Sequence, residues 1–74
     1  MKLKDMPENM ELVGTLIKIP KELKIIHDLP NDKMYIKSGW NKGLWLVTKM
    51  NAERIYPLTF DSFKDVENLE IMEE

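Results

Sequence analysis

The stretch KSGWNKGLWLV, residues 37–47, holds both tryptophans of the chain and two of its three glycines. Asn41, Lys42 and Gly43 have turn chemistry, and an uninterrupted apolar run follows over residues 44–47. A three-residue hairpin loop usually ends on a glycine in the left-handed conformation, and Gly43 suits that position. The stretch therefore predicts a β-hairpin, with strands over residues 34–40 and 44–50.

A three-residue loop decides which residues face each other across this hairpin. It places Trp40 opposite Leu44, Gly39 opposite Trp45 and Tyr35 opposite Lys49. Because side chains alternate between the two faces of a strand, one face is then clearly the more apolar. That face is predicted to be the core, with Trp40 in it, and it carries Met34, Ile36, Ser38, Trp40, Leu44, Leu46, Thr48 and Met50.

The second hairpin face is mixed in character and is the candidate contact surface. Tryptophan and tyrosine are common anchors of protein interfaces, and lysine stems readily cover their rings. The predicted partner-binding residues on this face are Tyr35, Lys37, Trp45, Val47 and Lys49. One alternative stays open: a helical turn or a terminus covers this face, and Trp45 completes a second core layer.

The remaining segments predict further short strands. Apolar alternation over residues 12–19 predicts a strand that Pro20 ends. Residues 22–29 favour a strand, with a short helix as the alternative. A further strand is predicted from Arg54 to about Tyr56, or on to Phe60, and Pro57 either makes it an edge strand or breaks it. Phe63, Val66 and Leu69 have helical spacing, and residues 69–72 predict a closing strand.

Together these elements predict a mainly β fold in one domain, residues 1–74, with an acidic tail at 70–74 that is expected to be mobile. The order indicates a small five- to six-stranded antiparallel, partly open barrel, with one short helical turn before the last strand. It resembles the Src-homology-3-like architecture. The proline-binding signatures of true Src-homology-3 domains are absent, and such a fold supports many functions.

Composition narrows the class of protein. The 74 residues carry a net charge of −2, but residues 1–50 hold nine lysines against six acids, and residues 61–74 hold six acids against one lysine. This asymmetry is modest for a nucleic-acid binder, and a solvated acidic end is its simpler explanation. There is no cysteine, no signal-like apolar segment and no membrane-length run, so we expect a cytoplasmic protein that does not enter a membrane.

Residues 39–46, GWNKGLWL, resemble a short stretch in a phage protein family that antagonises the bacterial Thoeris defence. In that family a glycine-tryptophan-asparagine turn leads into an apolar strand. The similarity covers eight positions and ends before Val47. It implies a shared hairpin, and we carry over neither an activity nor any residue roles.

Residues suited to catalysis or metal binding are few. His27 is the only histidine and lies in an apolar pattern, and Ser38 and Ser62 are the only serines. No triad motif, phosphate-binding loop or metal-ligand spacing is present. We therefore expect no enzyme activity, no metal and no cofactor.

The sequence as a whole favours a small non-catalytic binding module that acts by protein–protein contact. Its size suits an accessory or inhibitory protein of the kind that phages and mobile elements encode. The partner is another protein or a second copy of the chain joined through a strand edge. The alternative is a weak single-stranded nucleic-acid binder that uses the same aromatic and lysine face.

Overall fold

A computed structural model describes residues 1–6, 11–40, 43–59 and 67–72, with the side chain of Trp40 left aside. Four strands form one antiparallel sheet in the order β1-β2-β3-β4: β1 is Leu16–Lys18, β2 is Lys33–Trp40, β3 is Gly43–Val47 and β4 is Tyr56–Thr59. A 3-10 turn covers Leu3–Asp5, and the helix α1 covers Lys21–Ile26. The mainly β, antiparallel prediction is confirmed, but the sheet is not closed into a barrel.

The hairpin predicted from residues 37–47 is present as β2 and β3, with a different register. Trp40 pairs with Gly43 and Gly39 with Leu44, so two residues, not three, connect the strands. The predicted pairs of Trp40 with Leu44, of Gly39 with Trp45 and of Tyr35 with Lys49 are wrong. Gly43 suits both the last position of a three-residue loop and the first position after a two-residue loop, so its residue type does not separate the two lengths.

A β-bulge at Lys37 changes the register a second time. Ile36 pairs with Leu46 and Ser38 with Trp45, so Lys37 is an extra residue on β2. A register shift of one residue moves side chains to the opposite face, and a second shift restores them. Ser38 therefore lies opposite Trp45 rather than in the core, while Ile36 keeps its predicted inward position.

The core occupies one face of the sheet. Met34, Ile36, Leu44 and Leu46 are buried, as the alternation predicts. Gly39 also lies on this side, because a Cβ built on it would stand 3.2 Å from a Leu12 methyl and 3.5 Å from a Leu44 methyl. Met50, predicted to be core, is exposed instead. The prediction that Trp40 is core concerns a side chain outside the described part. The buried cluster contains Ile17, Ile19, Leu29, Met34, Ile36, Leu44, Leu46, Leu58 and Leu69.

The first strand is shorter than predicted because a tight turn precedes it. Thr15 N–H donates to Leu12 O at 3.2 Å, and Gly14 stands third in this turn with φ 91°. Only glycine adopts such a φ without strain, which is the requirement of a type II turn. Val13 therefore points to solvent, while Thr15, Ile17 and Ile19 are buried on one face, as predicted.

The prediction of a strand over residues 22–29 is wrong, and the short helix that was its alternative is present as α1. Pro20 precedes its first turn, where a missing N–H is harmless, and lysine, glutamate and leucine favour the helix. Asp28 ends it in the left-handed region at φ 52°. Asp28 N–H donates to Ile25 O and Leu29 N–H to Lys24 O, which is a Schellman motif.

The chain's first and last described residues extend the sheet beyond β1. Ile17 pairs with Ile71 and Lys2 with Glu70 in antiparallel bridges. Lys18 N–H donates to Glu70 O at 2.9 Å, and Ile71 N–H donates to Met1 O at 2.7 Å. The closing segment predicted over residues 69–72 thus forms one bridge with β1, through Ile71, and one with Lys2, through Glu70. The backbone of residues 70–72 is hydrogen-bonded to Lys18, Met1 and Leu16.

The remaining predictions for the second half of the chain have mixed outcomes. The strand predicted from Arg54 begins at Tyr56 and is β4, the edge strand after β3, with Pro57 inside it. Pro57 suits an edge because it has no N–H to contribute to a ladder. The helical turn predicted from Phe63, Val66 and Leu69 falls largely on residues 60–66, which lie outside the described residues.

Candidate interaction surface

The side of the sheet opposite the core, here called the outer face, carries the predicted contact residues. Because paired residues of antiparallel strands share a face, the register arranges this face in rows that cross the strands. The Trp45 row consists of Ser38, Trp45 and Pro57. The apolar row consists of Met72, Leu16, Tyr35 and Val47. The charged row consists of Lys2, Glu70, Lys18 and Lys33.

Trp45 lies at the centre of β3 and is the most exposed aromatic residue among those described, at 38%. Its cross-strand neighbours are Ser38 on β2 and Pro57 on β4. Both neighbours have short side chains. The predicted partner was Gly39, and the bulge at Lys37 replaces it with Ser38. The residue opposite Trp45 on β2 is therefore still a small one, as predicted, although it is Ser38 and not Gly39.

The two lysines predicted for this surface are both exposed. Lys37 stands on the bulge, and its Nζ donates to Met50 O at 3.2 Å. That contact connects β2 to the turn that follows β3. Lys49 lies in the same turn, beyond the end of the ladder. Lys37 and the exposed residue Lys49 are thus both close in the fold to the turn that follows β3.

Tyr35 and Val47 form one cross-strand pair, and neither is fully available for contact. Tyr35 is half-buried, and Val47 is fully buried at 0% exposure. Val47 was predicted to be part of the surface, but its burial removes it from any contact with a partner in this conformation. The sequence misleads here because alternation gives only the face on which a residue lies. Coverage of that face depends on distant segments.

Two features of the molecular surface were not found from the sequence. The first is the charged row, which forms because Lys2 pairs with Glu70 and Glu70 is bonded to Lys18 on β1. These contacts between distant segments cannot be predicted from local sequence pattern. The second is on α1, where Ile25 and Ile26 are each 71% exposed. Two adjacent β-branched residues suggested a strand. In α1 Leu23 packs against the core, while Ile26, three residues later, stays exposed although helical spacing alone would group the two.

A surface groove runs between α1 and the residues that follow Glu67. Its lining includes Ile19 and Ile25, with Lys21, Lys24, Asp28 and Glu70 among the charged residues. Opposite charges are mixed along it, so it does not select one sign of ligand. Within it Lys24 Nζ donates to Asp32 Oδ1 at 2.8 Å. This hydrogen bond and the Lys24 charge, with smaller effects from Lys18 and Lys33, hold the pKa of Asp32 below its usual value.

Catalytic and metal chemistry finds no further support in the described residues. His27 is half-buried, and its backbone N–H closes α1 on Leu23 O. Across residues 1–6, 11–40, 43–59 and 67–72, no three histidine or acidic side chains come together in a way that could hold a metal ion. The prediction of a non-enzymatic protein stays a prediction.

The described part of the chain contains no helix of the length and apolar character needed to cross a membrane. Comparison of the sequence with protein-family models and with curated proteins, and of the fold with solved structures, finds no match.

Proposed function

We propose that this protein is a small non-catalytic binding module that acts by contact with another protein through its outer face. The observation that carries the proposal is the position of Trp45. It is exposed at the middle of a central strand, on the side of the sheet that does not hold the core. Large aromatic residues in the centre of a surface are the usual anchors of protein interfaces.

The area that Trp45 exposes is enough to matter for affinity. A tryptophan side chain presents up to about 250 Å², so 38% exposure leaves about 90 Å² to be buried by a partner. At about 25 cal/mol per Å² this corresponds to about 2 kcal/mol. Such a contribution is about thirtyfold in a dissociation constant. Small size and the scarcity of catalytic residues further suit an accessory or inhibitory protein of a phage or mobile element.

The second candidate is a weak single-stranded nucleic-acid binder that uses the same face. Lys18 and Lys33 on the charged row favour it, since phosphates attract ammonium groups. Salt separates the two candidates. Nucleic-acid binding weakens steeply as salt rises, because condensed counterions are released in proportion to the phosphates contacted. Binding that depends on Trp45 burial changes much less with salt.

The test is capture of a partner from an extract of the organism that encodes the protein, with Trp45→Ala compared with the unchanged protein. Val13→Ala is the matched control, because Val13 is also an exposed apolar residue, at 49%, but lies in the turn before β1. We expect Trp45→Ala to lose the partner and Val13→Ala to retain it. Retention of the partner by Trp45→Ala would refute the proposal, provided that both variants show the circular dichroism of the unchanged protein.

A further inference from the structure

The charged row places two lysines directly opposite each other. Lys18 on β1 pairs with Lys33 on β2, and both are exposed. Like charges in direct cross-strand opposition are unfavourable. Among the described residues, neither ammonium has a carboxylate within ion-pair distance. The ion pairs that the described residues form join Glu70 to the N-terminal ammonium and Asp32 to Lys24.

The two nearest acidic side chains are already engaged elsewhere. Glu70 Oε2 lies 3.6 Å from the N-terminal ammonium, and Asp32 accepts a hydrogen bond from Lys24 at 2.8 Å. Lys2, at the far end of the row, adds a third ammonium beyond Glu70. The outer face therefore carries more positive than negative charge along this row, beside the half-buried residues of the apolar row.

The aromatic residues of this face argue against a base-stacking platform. Sequence-tolerant binding of single strands uses successive bases stacked on successive exposed aromatic rings. Of the three aromatic side chains that the structure describes, Tyr35 and Tyr56 are half-buried and only Trp45 is exposed. Tyr56 lies on the core side, with Arg54 above its ring at 4.8 Å. The chain's single arginine is thus on Tyr56, not on the outer face.

We infer that the partner of the outer face is a protein segment rich in carboxylates, which crosses the charged row and buries Trp45 with an apolar side chain. This inference rests on the proposed function and adds the chemistry of the partner. The row spans three strand spacings, about 14 Å. An extended segment of about eight residues covers that distance and reaches Trp45.

The experiment titrates synthetic peptides into the ¹⁵N-labelled protein and follows its backbone amides by NMR. The probes have equal length and join a run of glutamate, of glutamine or of lysine, for the charged row, to a short leucine segment for Trp45, and an oligothymidylate of equal negative charge is the nucleic-acid probe. The test variant is the double charge reversal Lys18→Glu with Lys33→Glu. The matched control is Lys4→Glu with Lys21→Glu, which changes the net charge equally at exposed residues outside the outer face.

We expect the glutamate peptide alone to give saturable shifts, confined to Lys2, Glu70, β1, β2 and β3. Its dissociation constant should rise about tenfold in the test variant and stay unchanged in the control. Four results overturn the inference: no saturable binding of the glutamate peptide, equal binding of the glutamine peptide, equal loss in the control variant, and tighter binding of oligothymidylate at the same amides.

A second readout separates this inference from the proposed function. The test variant is used in the same capture experiment as Trp45→Ala. If Trp45→Ala loses the captured protein and the lysine reversal keeps it, the proposed function stands and the acidic-partner inference falls. If Trp45→Ala keeps the captured protein, the proposed function itself is wrong.

Discussion

Removing the single residue Lys37 gives the sharpest test of the hairpin geometry. Lys37 is the extra residue between the pairs Ile36–Leu46 and Ser38–Trp45. Without it those pairs follow each other as in a regular ladder, and every other side chain of β2 keeps its face. We therefore expect the shortened protein to fold with Trp45 still on the outer face.

The size of the effect follows from what Lys37 contacts. Its side chain is exposed, so little burial is lost, and its described hydrogen bond to Met50 O is a surface contact worth about 0.5–1 kcal/mol. Against this, one residue fewer must be ordered on folding, which returns about 1–2 kcal/mol of backbone entropy. The two terms nearly cancel, and we expect the free energy of unfolding to change by no more than about 1 kcal/mol.

The matched control is removal of Tyr35, two residues earlier in the same strand. Tyr35 is paired on both sides, with Leu16 and with Val47, so its removal shifts the start of β2 by one residue. Met34, which is fully buried, would then take an outward position. Loss of a buried methionine from a core costs about 2–5 kcal/mol.

Urea unfolding followed by tryptophan fluorescence measures both deletions. We expect the deletion of Lys37 to leave the urea midpoint nearly unchanged and the deletion of Tyr35 to lower it strongly. Equal destabilisation by the two deletions would show that Lys37 is not an extra residue in the ladder. The register described for β2 and β3 would then have to be abandoned.

Three further outcomes are expected. Val47→Ala should lower the free energy of unfolding by about 1–3 kcal/mol, because Val47 is fully buried, while Val13→Ala should change it by less than about 0.5 kcal/mol in the same urea assay. Gly14→Ala should lower the free energy of unfolding by about 1–2 kcal/mol because φ is 91° there, although no atom lies within 4 Å of the added Cβ. Gly14→Asn should recover part of that loss, and thermal unfolding of both variants measures the difference. Lys24→Met should raise the pKa of Asp32 toward its usual value in an NMR pH titration. Because that pKa is lowered in the folded protein, the Lys24–Asp32 contact stabilises the protein above the usual aspartate pKa and is lost as the pH falls through the lowered value; an unchanged pKa in Lys24→Met would contradict the assigned cause.

The apolar alternation in residues 34–36 and 44–46 was enough to predict the hairpin and its core side. Successive side chains of a strand point to opposite faces, so the apolar residues that alternate with outward-facing ones share the core face. Those buried there are Met34, Ile36, Leu44 and Leu46. The outward position of Trp45 was predicted through a register wrong by one residue next to the turn. Its face came out right because Leu44 and Leu46, on either side of it, are committed to the core.

Other features depended on information that local pattern does not contain. Gly43 can end a three-residue loop or follow a two-residue loop, and a bulge at Lys37 has no residue signature. The helix α1 was only the alternative prediction because the two adjacent isoleucines and the prolines on either side favour a strand. The left-handed residue that follows α1 is Asp28, where glycine is more common. The burial of Val47 and the charged row both require knowledge of which distant segments meet.

The pairing of Ile71 with Ile17 also sets the order in which the molecule can assemble. Ile17 is fully buried, between Met34 on β2 and Ile71, and the sequence separation of Ile17 from Ile71 is most of the chain. The β2–β3 hairpin has local contacts and can form before residues 70–72 reach β1. Until they do, the edge of β1 away from β2 is unpaired. Since long-range contacts slow folding, the pairing of residues 70–72 with β1 should be the late step in completing the sheet.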